Sequence, residues 1–191
     1  MEVVNAHYDA AYFEWQRSGG LLSASLDRWK FVPFIGKDDV VLDFGCGGGY
    51  LLDSLDCKAR YGIEVNPAAR AEAARRLTAF ASLDEVPEGF QVDAILSHHA
   101  LEHVDDPVGT LRALRRILKP EGIFVAVVPS ETWLSKSSFK EADINQHLYT
   151  WTPLLLGNLL KRAGLRTSLE VRSLCMHDFK LPPPRLWTAP H

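Results

Sequence analysis

A glycine-rich turn between an apolar run and a helix-forming run is the feature that most restricts the fold of this sequence. The apolar run Val40–Phe44 predicts a strand, the turn Gly-Cys-Gly-Gly-Gly follows at 45–49, and a helix is predicted to open at Tyr50. Because glycine has no Cβ atom, such a turn can adopt left-handed dihedrals and bring backbone N–H groups close to a ligand. A strand, a turn and a helix in this order form the repeating unit of parallel α/β folds.

The same alternation of short apolar runs and longer helical stretches continues along the chain, which predicts an α/β fold with a doubly wound, mostly parallel sheet. Before the sheet, apolar side chains between Tyr8 and Phe34 predict two amphipathic helices broken at Ser18-Gly19-Gly20. Asn66 and Gly164 stand where they can cap helices. The predicted strands are 40–44, 59–65, 78–82, 92–97, 123–128 and 165–174, and the predicted helices after 50–55 are 67–77, 108–118 and 153–163.

The chain of 191 residues is predicted to form one domain, with a helical lid over 1–36 and an α/β core over 38–180. The polar stretch 130–146 predicts a long loop or a partly helical insertion, and the proline-rich tail 181–191 predicts irregular structure. After the last predicted strand, 175–180 either adds a short partner strand or leaves an open edge that a second copy of the chain covers in a homodimer.

Composition argues against several classes of protein. The chain carries 21 Lys and Arg against 24 Asp and Glu, so a broad basic face for nucleic acid is not expected. Its 3 cysteines, Cys46, Cys57 and Cys175, form no Cys-x-x-Cys pair, which favours a reducing cytoplasm over a disulfide framework or a thiolate zinc site. The N-terminus lacks a signal-peptide pattern and the apolar runs are too short to span a bilayer, so no membrane association is expected.

Two acidic residues stand where a nucleoside ligand would meet the turn. Asp43 precedes the spaced glycines at 45, 47 and 49, and Glu64 ends the next predicted strand, 19 positions after Gly45. A carboxylate at that position can accept two hydrogen bonds from ribose hydroxyls. The dinucleotide fingerprint needs a small residue where Tyr50 stands, which disfavours a nucleotide-dependent oxidoreductase.

A wider pattern of motifs covers about residues 38–165. Its segments are Val-Leu-Asp-Phe-Gly-Cys-Gly-Gly-Gly at 41–49, Tyr-Gly-Ile-Glu-Val-Asn-Pro at 61–67, the fourth predicted strand with its Leu-Glu-His-Val ending within 92–107, Leu-Lys-Pro-Glu-Gly at 118–122 with Pro129, and His-Leu-Tyr-Thr-Trp-Thr at 147–152. In order and spacing they resemble the class I S-adenosylmethionine-dependent methyltransferases. The resemblance implies the Rossmann-like, seven-stranded type of sheet found in that family.

The resemblance also implies S-adenosylmethionine as the cofactor and gives individual residues a role. The turn 45–49 is expected to wrap the methionine part, while Asp43 fixes the turn and the amino group. Glu64 is expected to bind the ribose. Ser97 and His98 are expected to lie beside the sulfonium, where the methyl group leaves.

Around the adenine, the resemblance implies that Val65 and Asn66 flank the ring. Where the family often has an acidic or polar residue for the adenine amino group, this sequence has Ser82 or Leu83, with Asp84 slightly displaced. Helices before the first strand often cover the cofactor in this family. The expected cofactor contacts are Tyr12, Asp43, Gly45, Cys46, Gly47, Gly49, Glu64, Val65, Asn66, Ser82, Leu83, Ser97 and His98.

The implied reaction is methyl transfer to a small-molecule or glycan-type acceptor. Because the sulfonium is already an activated donor, the protein needs only to orient the nucleophile and, for a hydroxyl, to provide a base. Histidine suits that role because its pKa lies near neutrality. The candidates are His98, His99, His103 and His147, of which His98 and His147 are favoured as catalytic residues, although His147 could instead cap the following helix.

Two other interpretations stay open. His99 and His103 would share one face of a helix and could hold a metal ion with Glu102 beside them, but a hydrogen-bonded structural role is favoured and no metal is expected. The chain could also be a catalytically inactive homologue that binds the cofactor and acts as a partner or regulatory protein. Asp43 and Glu64 argue against loss of cofactor binding but say nothing about the acceptor.

Overall fold

A parallel sheet of five strands forms the centre of the structure, a computed structural model that describes residues 10–130 and 146–166. The order across the sheet is β3-β2-β1-β4-β5, and every neighbouring pair is parallel. The predicted α/β fold with a parallel sheet is therefore confirmed. The strands are β1 Val40–Phe44, β2 Ala59–Ile63, β3 Thr78–Phe80, β4 Val92–His98 and β5 Leu118–Val127.

Helices cover both faces of this sheet. They are α1 Ala10–Asp27, α2 Tyr50–Asp53, α3 Pro67–Ala73, α4 Pro107–Ile117 and α5 Pro153–Ala163. Successive side chains of β1 point to opposite faces. Val41 packs into one buried cluster with Leu52 of α2, whereas Leu42 packs into another with Leu114 of α4. The chain thus winds on both sides of the sheet, as predicted.

The N-terminal segment contains one long helix, so the prediction of two helices broken at Ser18-Gly19-Gly20 is wrong. α1 runs unbroken through both glycines. A glycine inside a helix costs only about 1 kcal/mol relative to alanine, and packing offsets that cost. A Cβ atom at Gly20 would lie 3.6 Å from the ring of Tyr50, and Phe13 and Ala24 of the same helix are buried. Close packing of α1 on α2 keeps the helix continuous.

The predicted helix caps are present. The Asn66 Oδ1 atom accepts hydrogen bonds from the backbone N–H groups of Ala68 at 2.9 Å and Ala69 at 3.3 Å, at the start of α3. Gly164 caps the end of α5. α3 ends at Ala73, earlier than the predicted residue 77, because the backbone tightens there: the N–H groups of Arg75 and Arg76 donate hydrogen bonds to carbonyls three residues back.

The strand order creates a crevice at one edge of the sheet. The chain passes from β1 outwards to β2 and β3, and then returns to β4 on the other side of β1. Open α/β sheets bind ligands at the carboxyl ends of the strands where such a reversal occurs. The fold therefore points to the ends of β1, β2 and β4 as the functional site.

Several predictions concern segments outside the described residues. They are the insertion within 130–146, the last strand at 165–174, its partner at 175–180 and the tail at 181–191. Among the helices that the structure describes, none has the length and apolar character needed to cross a lipid bilayer.

Candidate functional site

A cavity of about 860 Å³ opens at the reversal of the strand order. Its walls are the carboxyl ends of β1, β2 and β4 together with one face of α1. This volume is within the range of sites that enclose small molecules and cofactors. Of the predicted site residues, the wall contains Tyr12, Asp43, Gly45, Cys46, Gly47, Glu64, Val65, Asn66, Ser82 and His98.

The remaining predicted site residues lie behind or beside this wall. Gly49 precedes α2 as its N-cap residue. Leu83 packs against the core cluster around Ile95, and Ser97 is fully buried within β4. His147 is exposed and its ring lies 4.9 Å from that of His103.

The glycine turn has the left-handed backbone that its sequence predicts. Gly45 has φ of 79° and Gly47 has φ of 53°. A Cβ atom at Gly45 would overlap the Cβ atom of Ala100, whereas a Cβ atom at Gly47 would meet no other atom within 4 Å. Gly45 is therefore needed for packing against the end of β4, while Gly47 leaves open space in the wall of the cavity.

The Glu64 carboxylate ties the turn to the start of α3. Its Oε2 atom accepts a hydrogen bond from the Gly47 N–H at 2.8 Å, and its Oε1 atom accepts one from the Asn66 N–H at 2.8 Å. Burial raises the pKa of Glu64, although these backbone hydrogen bonds oppose the increase. The carboxylate is thus fixed in the cavity wall and still has lone pairs for further donors.

Asp43 is a buried carboxylate in the wall of the cavity. The residue is 2% exposed, and its Oδ1 atom has no hydrogen-bond partner among the described residues. Burial, followed by the charge of Glu64, raises the pKa of Asp43 to about 7. An ammonium group entering the cavity beside Asp43 would satisfy this oxygen and compensate its charge.

Beyond Glu64, the wall is formed by the start of α3 and the end of β3. The Val65 side chain is 44% exposed, and Ser82 lines the same part of the cavity. Arg70 donates hydrogen bonds to the carbonyl oxygens of Glu64 at 2.7 Å and Val65 at 3.2 Å, which fixes this backbone. The amide oxygen of Asn66 is used as a helix cap, so Asn66 acts here through the backbone it holds.

At the opposite end of the cavity, His98 pairs with Asp27 of α1. The His98 Nε2 atom lies 3.2 Å from the Asp27 Oδ2 atom, an ion-pair distance, and Asp27 also contacts Lys30 Nζ at 2.6 Å and accepts a hydrogen bond from Ser23 Oγ at 2.6 Å. Burial alone would raise the pKa of Asp27, but its pairing with His98, Lys30 and Ser23 keeps that pKa well below its usual value. Burial lowers the pKa of His98, against the opposing effect of Asp27.

The turn after β4 carries the remaining histidines. His99 has a left-handed backbone with φ of 54°, and Leu101–His103 forms a single turn of 3₁₀ helix. His99 and His103 are therefore not on one face of an α-helix, which was the geometry considered for a metal pair. Instead the His99 Nδ1 atom lies 3.1 Å from Glu102 Oε1, and His103 faces His147.

A comparison with known proteins decides the family. A family model described as a methyltransferase domain matches residues 14–169, most of the chain. The chain belongs to this methyltransferase family. It is a class I S-adenosylmethionine-dependent methyltransferase, as its motifs predicted, and S-adenosylmethionine is its cofactor.

Curated relatives of the methyltransferase include enzymes of ubiquinone biosynthesis. It is 30% identical over 177 residues to the ubiquinone biosynthesis O-methyltransferase of Cereibacter sphaeroides strain ATCC 17025, an alignment that covers 75% of this chain and 67% of that protein. It is 38% identical over 105 residues to the enzyme of the same description from Pseudomonas putida strain W619, covering 48% of this chain and 44% of that protein.

Solved structures share the fold of the methyltransferase. A chain in the complex between the Haloferax volcanii Trm112 methyltransferase activator and a methyltransferase aligns with a TM-score of 0.65 at 22% identity, covering 90% of this chain and 87% of that chain. A methyltransferase from Thermotoga maritima aligns with a TM-score of 0.62 at 22% identity, covering 79% and 75% of the two chains. At these identities the likeness supports the fold alone.

One face of α1 is the part of the site that sequence reasoning missed. Only Tyr12 was expected from this helix. Burial raises the pKa of Tyr12, and the charges of Glu64 and Glu102 raise it further. The spacing of three and four residues along a single helix could have revealed the others. The additional wall residues of the methyltransferase from α1 are Phe13, Gln16, Arg17, Gly19, Gly20, Ser23 and Ala24.

Proposed function

We propose that this methyltransferase binds S-adenosylmethionine in the cavity and methylates a hydroxyl group of a small aromatic acceptor. In this proposal Asp43 receives the amino group of the cofactor, Glu64 receives the ribose hydroxyls, and Val65 lies against the adenine. The single observation that carries the cofactor site is the buried Asp43 carboxylate, whose Oδ1 atom has no partner among the described residues.

The charge of the cofactor suits this arrangement. Asp43 and Glu64 are both carboxylates in the cavity wall. Burial and the charge of Glu64 raise the pKa of Asp43, and burial raises the pKa of Glu64. A ligand with an ammonium group near Asp43 and hydroxyl donors near Glu64 lowers that cost. The left-handed turn at Gly47 leaves the space in which the ligand can approach the backbone.

For the reaction, the bound cofactor supplies an activated methyl group on a sulfonium. His98 then takes the proton of the acceptor hydroxyl, the oxygen forms its bond to the methyl carbon, and the bond from that carbon to sulfur breaks. His98 lies in the cavity wall, and burial lowers its pKa, so the imidazole is neutral near pH 7 and able to accept a proton. His147, the second predicted catalytic residue, is exposed beside His103 and does not line the cavity, so we assign the proton transfer to His98.

The hydroxyl acceptor is supported by the relatives, whose names describe O-methylation in ubiquinone biosynthesis. We extend to this chain only the class of acceptor, a hydroxylated ring of small size. Because α1 provides one wall of the cavity, we also group the predicted lid over 1–36 with the α/β core in one domain.

Calorimetric titration with S-adenosylhomocysteine tests the cofactor site. We expect micromolar binding and no binding of NAD. Glu64→Ala should weaken the binding of S-adenosylhomocysteine by at least about 100-fold. It removes the proposed hydrogen bonds from the ribose hydroxyls to the carboxylate, and each hydrogen bond to a charged group contributes about 1.5–3 kcal/mol. Glu14→Gln removes an exposed carboxylate of α1 and should bind like the unchanged chain. If S-adenosylhomocysteine does not bind, the cofactor part of the proposal fails.

A panel of acceptors then tests the reaction. With S-adenosylmethionine present, catechols and other hydroxylated benzenes should release S-adenosylhomocysteine, whereas sugars should not. His98→Asn should abolish turnover while leaving S-adenosylhomocysteine affinity within a few-fold. If cofactor binding is intact but no member of the panel is methylated, the alternative of a catalytically inactive partner protein is favoured.

A further inference from the structure

Two separate parts of the chain meet beside the end of the cavity where His98 lies. Glu102 and His103 lie on the turn after β4, and His147 lies on the segment that leads to α5. One potential ligand atom from each of these three side chains lies within 4.8 Å of the other two. The sequence does not indicate this convergence, because its spacing suggests only His99 and His103 as a pair of metal ligands.

Two hydrogen bonds hold the segment that carries His147 against the turn after β4. The Leu148 N–H donates a hydrogen bond to the Glu102 carbonyl at 2.8 Å, and the Tyr149 hydroxyl donates one to the Asp105 carbonyl at 3.1 Å. The position of His147 opposite His103 is therefore fixed by its own backbone neighbours. A fixed backbone with an exposed imidazole is suited to closing around a ligand with a small side-chain rotation.

An independent observation concerns the charge of Glu102. Its side chain is fully buried at 0% exposure, and one carboxylate oxygen, Oε2, has no hydrogen-bond partner within the part of the chain that the structure describes. The other oxygen, Oε1, lies 3.1 Å from His99 Nδ1. A buried carboxylate with an unsatisfied oxygen is costly unless a cation or a donor compensates it.

We propose that Glu102, His103 and His147 bind a divalent transition metal ion, with Zn²⁺ as the first candidate. Two imidazole nitrogens and one carboxylate oxygen suit Zn²⁺ and its neighbours in the first transition row, whereas Mg²⁺ and Ca²⁺ prefer oxygen ligands. His99 contacts the Glu102 carboxylate from outside this set and orients it. Three protein ligands leave a coordination position open, as in catalytic rather than structural zinc sites.

The position of the proposed metal site would allow the metal ion to take part in methyl transfer. His103 and His99 both lie in the wall of the cavity, at the end where His98 lies. A metal ion held by Glu102, His103 and His147 can bind an acceptor oxygen and lower the pKa of its hydroxyl. This role of the metal ion in methyl transfer rests on the proposed function, but the binding of the metal ion does not.

Metal binding by the tag-free chain of 191 residues tests the site. After treatment with a chelator, the protein should take up one Zn²⁺ per chain in equilibrium dialysis with elemental analysis, and should bind Mg²⁺ far more weakly. Loaded with Co²⁺, it should show the visible absorption of a low-coordinate site with nitrogen ligands. Substoichiometric uptake of Zn²⁺ would overturn the proposal.

Variants locate the site. His147→Ala, His103→Asn and Glu102→Gln should each weaken Zn²⁺ binding by at least about 100-fold, because even the outer-shell partners of metal ligands contribute about 10–100-fold. His147 is exposed, so its variant should fold even if the substitution at buried Glu102 does not. His98→Asn is the matched control, a cavity histidine outside the cluster, and should keep the affinity. Equal affinity in His147→Ala and the unchanged chain would also overturn the proposal.

The same samples separate this inference from the proposed function. If S-adenosylhomocysteine binds and Zn²⁺ does not, only the metal site is wrong. If Zn²⁺ binds to the three ligands and S-adenosylhomocysteine does not, the metal site stands and the cofactor proposal fails. If both bind, the rate of methyl transfer with and without Zn²⁺ measures the contribution of the metal ion to the reaction.

Discussion

Asp27 at the end of α1 and His98 at the end of β4 lie 3.2 Å apart, Oδ2 to Nε2, and this contact joins the helix over the cavity to the sheet beneath it. Both side chains are largely enclosed, with 3% and 14% exposure. The buried ring of Phe31 packs edge-on against the His98 ring, with 5.7 Å between the ring centroids. The position of α1 and the protonation of His98 are therefore coupled through one carboxylate.

Asp27→Asn tests this coupling. Asp27 is buried and also pairs with Lys30 Nζ at 2.6 Å. Removing one charge of a buried ion pair costs about 3 kcal/mol or more, so we expect a loss of that size in the free energy of unfolding measured in urea. Because the pKa of Asp27 is held low, its stabilising effect is present above about pH 4 and fades as the pH falls. The pKa of His98 should fall further without the carboxylate, which an NMR titration of the ring would record.

A surface pair serves as the control for that experiment. Glu14→Gln breaks an exposed contact with Arg17 on the same helix, where the side chains are 72% and 44% exposed, and should change stability little. If Asp27→Asn unfolds at the same urea concentration as the unchanged chain and His98 titrates as before, the contact does not couple α1 to His98.

In the chain without ligand, Asp43 should make stability depend on pH in the direction opposite to Asp27. Its pKa is raised from 3.8 to about 7, so the folded chain holds this proton more tightly than the unfolded chain. Its contribution to stability is therefore fully present below about pH 4 and is lost as the pH rises through about 7. The loss is of the order of 4 kcal/mol at about 1.4 kcal/mol per pKa unit. Thermal unfolding of Asp43→Asn against the unchanged chain isolates this contribution.

Addition of S-adenosylhomocysteine completes the Asp43 experiment. If its amino group pairs with the ionised carboxylate, the ligand should raise the melting temperature more at pH 8 than at pH 6. In Asp43→Asn this difference between the two pH values should disappear. An equal rise at both pH values in the unchanged chain would argue against the pairing.

The sequence predicts the sheet, the glycine turn, the cap of α3 and the position of Glu64 because those features depend on local chemistry. The left-handed backbone of Gly45 and Gly47 needs glycine, and the cap of α3 needs a short polar side chain such as Asn66. Glu64 directly follows β2 in a parallel sheet, which is enough to place it in the crevice.

The errors and omissions arise from packing between distant segments. The continuity of α1 depends on its contact with Tyr50, which no local pattern encodes. His147 meets His103 because the segment before α5 folds back on the turn after β4. Leu83 follows β3 closely enough to be expected near the adenine, but its partly buried side chain packs against the apolar cluster around Ile95 instead. The cytoplasmic location and the homodimer stay predictions.

Asn66 gives a prediction that separates stability from cofactor binding. Asn66→Ala removes the cap of α3, which contributes about 1 kcal/mol, and loosens the backbone that carries Val65 beside the cavity. We expect it to weaken S-adenosylhomocysteine binding several-fold. Thr152→Ala removes the equivalent cap of α5, where the Thr152 Oγ1 atom accepts a hydrogen bond from the Leu155 N–H at 3.1 Å, and Thr152 does not line the cavity.

The two cap variants are compared by calorimetry and by urea unfolding. Both should lose a similar amount of stability, and only Asn66→Ala should lose affinity. If both variants bind S-adenosylhomocysteine like the unchanged chain, the backbone at the start of α3 does not form part of the adenine side.

Gly47 and Gly89 form a matched pair for testing whether the turn approaches the cofactor. Both have a left-handed backbone, with φ of 53° and 76°, and a Cβ atom at either would meet no atom within 4 Å. Substitution by alanine should therefore cost each position a similar strain of about 1–2 kcal/mol. Gly47 lies in the cavity wall whereas Gly89 does not, so only Gly47→Ala places a methyl group where the ligand would lie. Equal stability loss with weaker S-adenosylhomocysteine binding in Gly47→Ala alone would locate the ligand at the turn, and equal affinity in both variants would place it elsewhere.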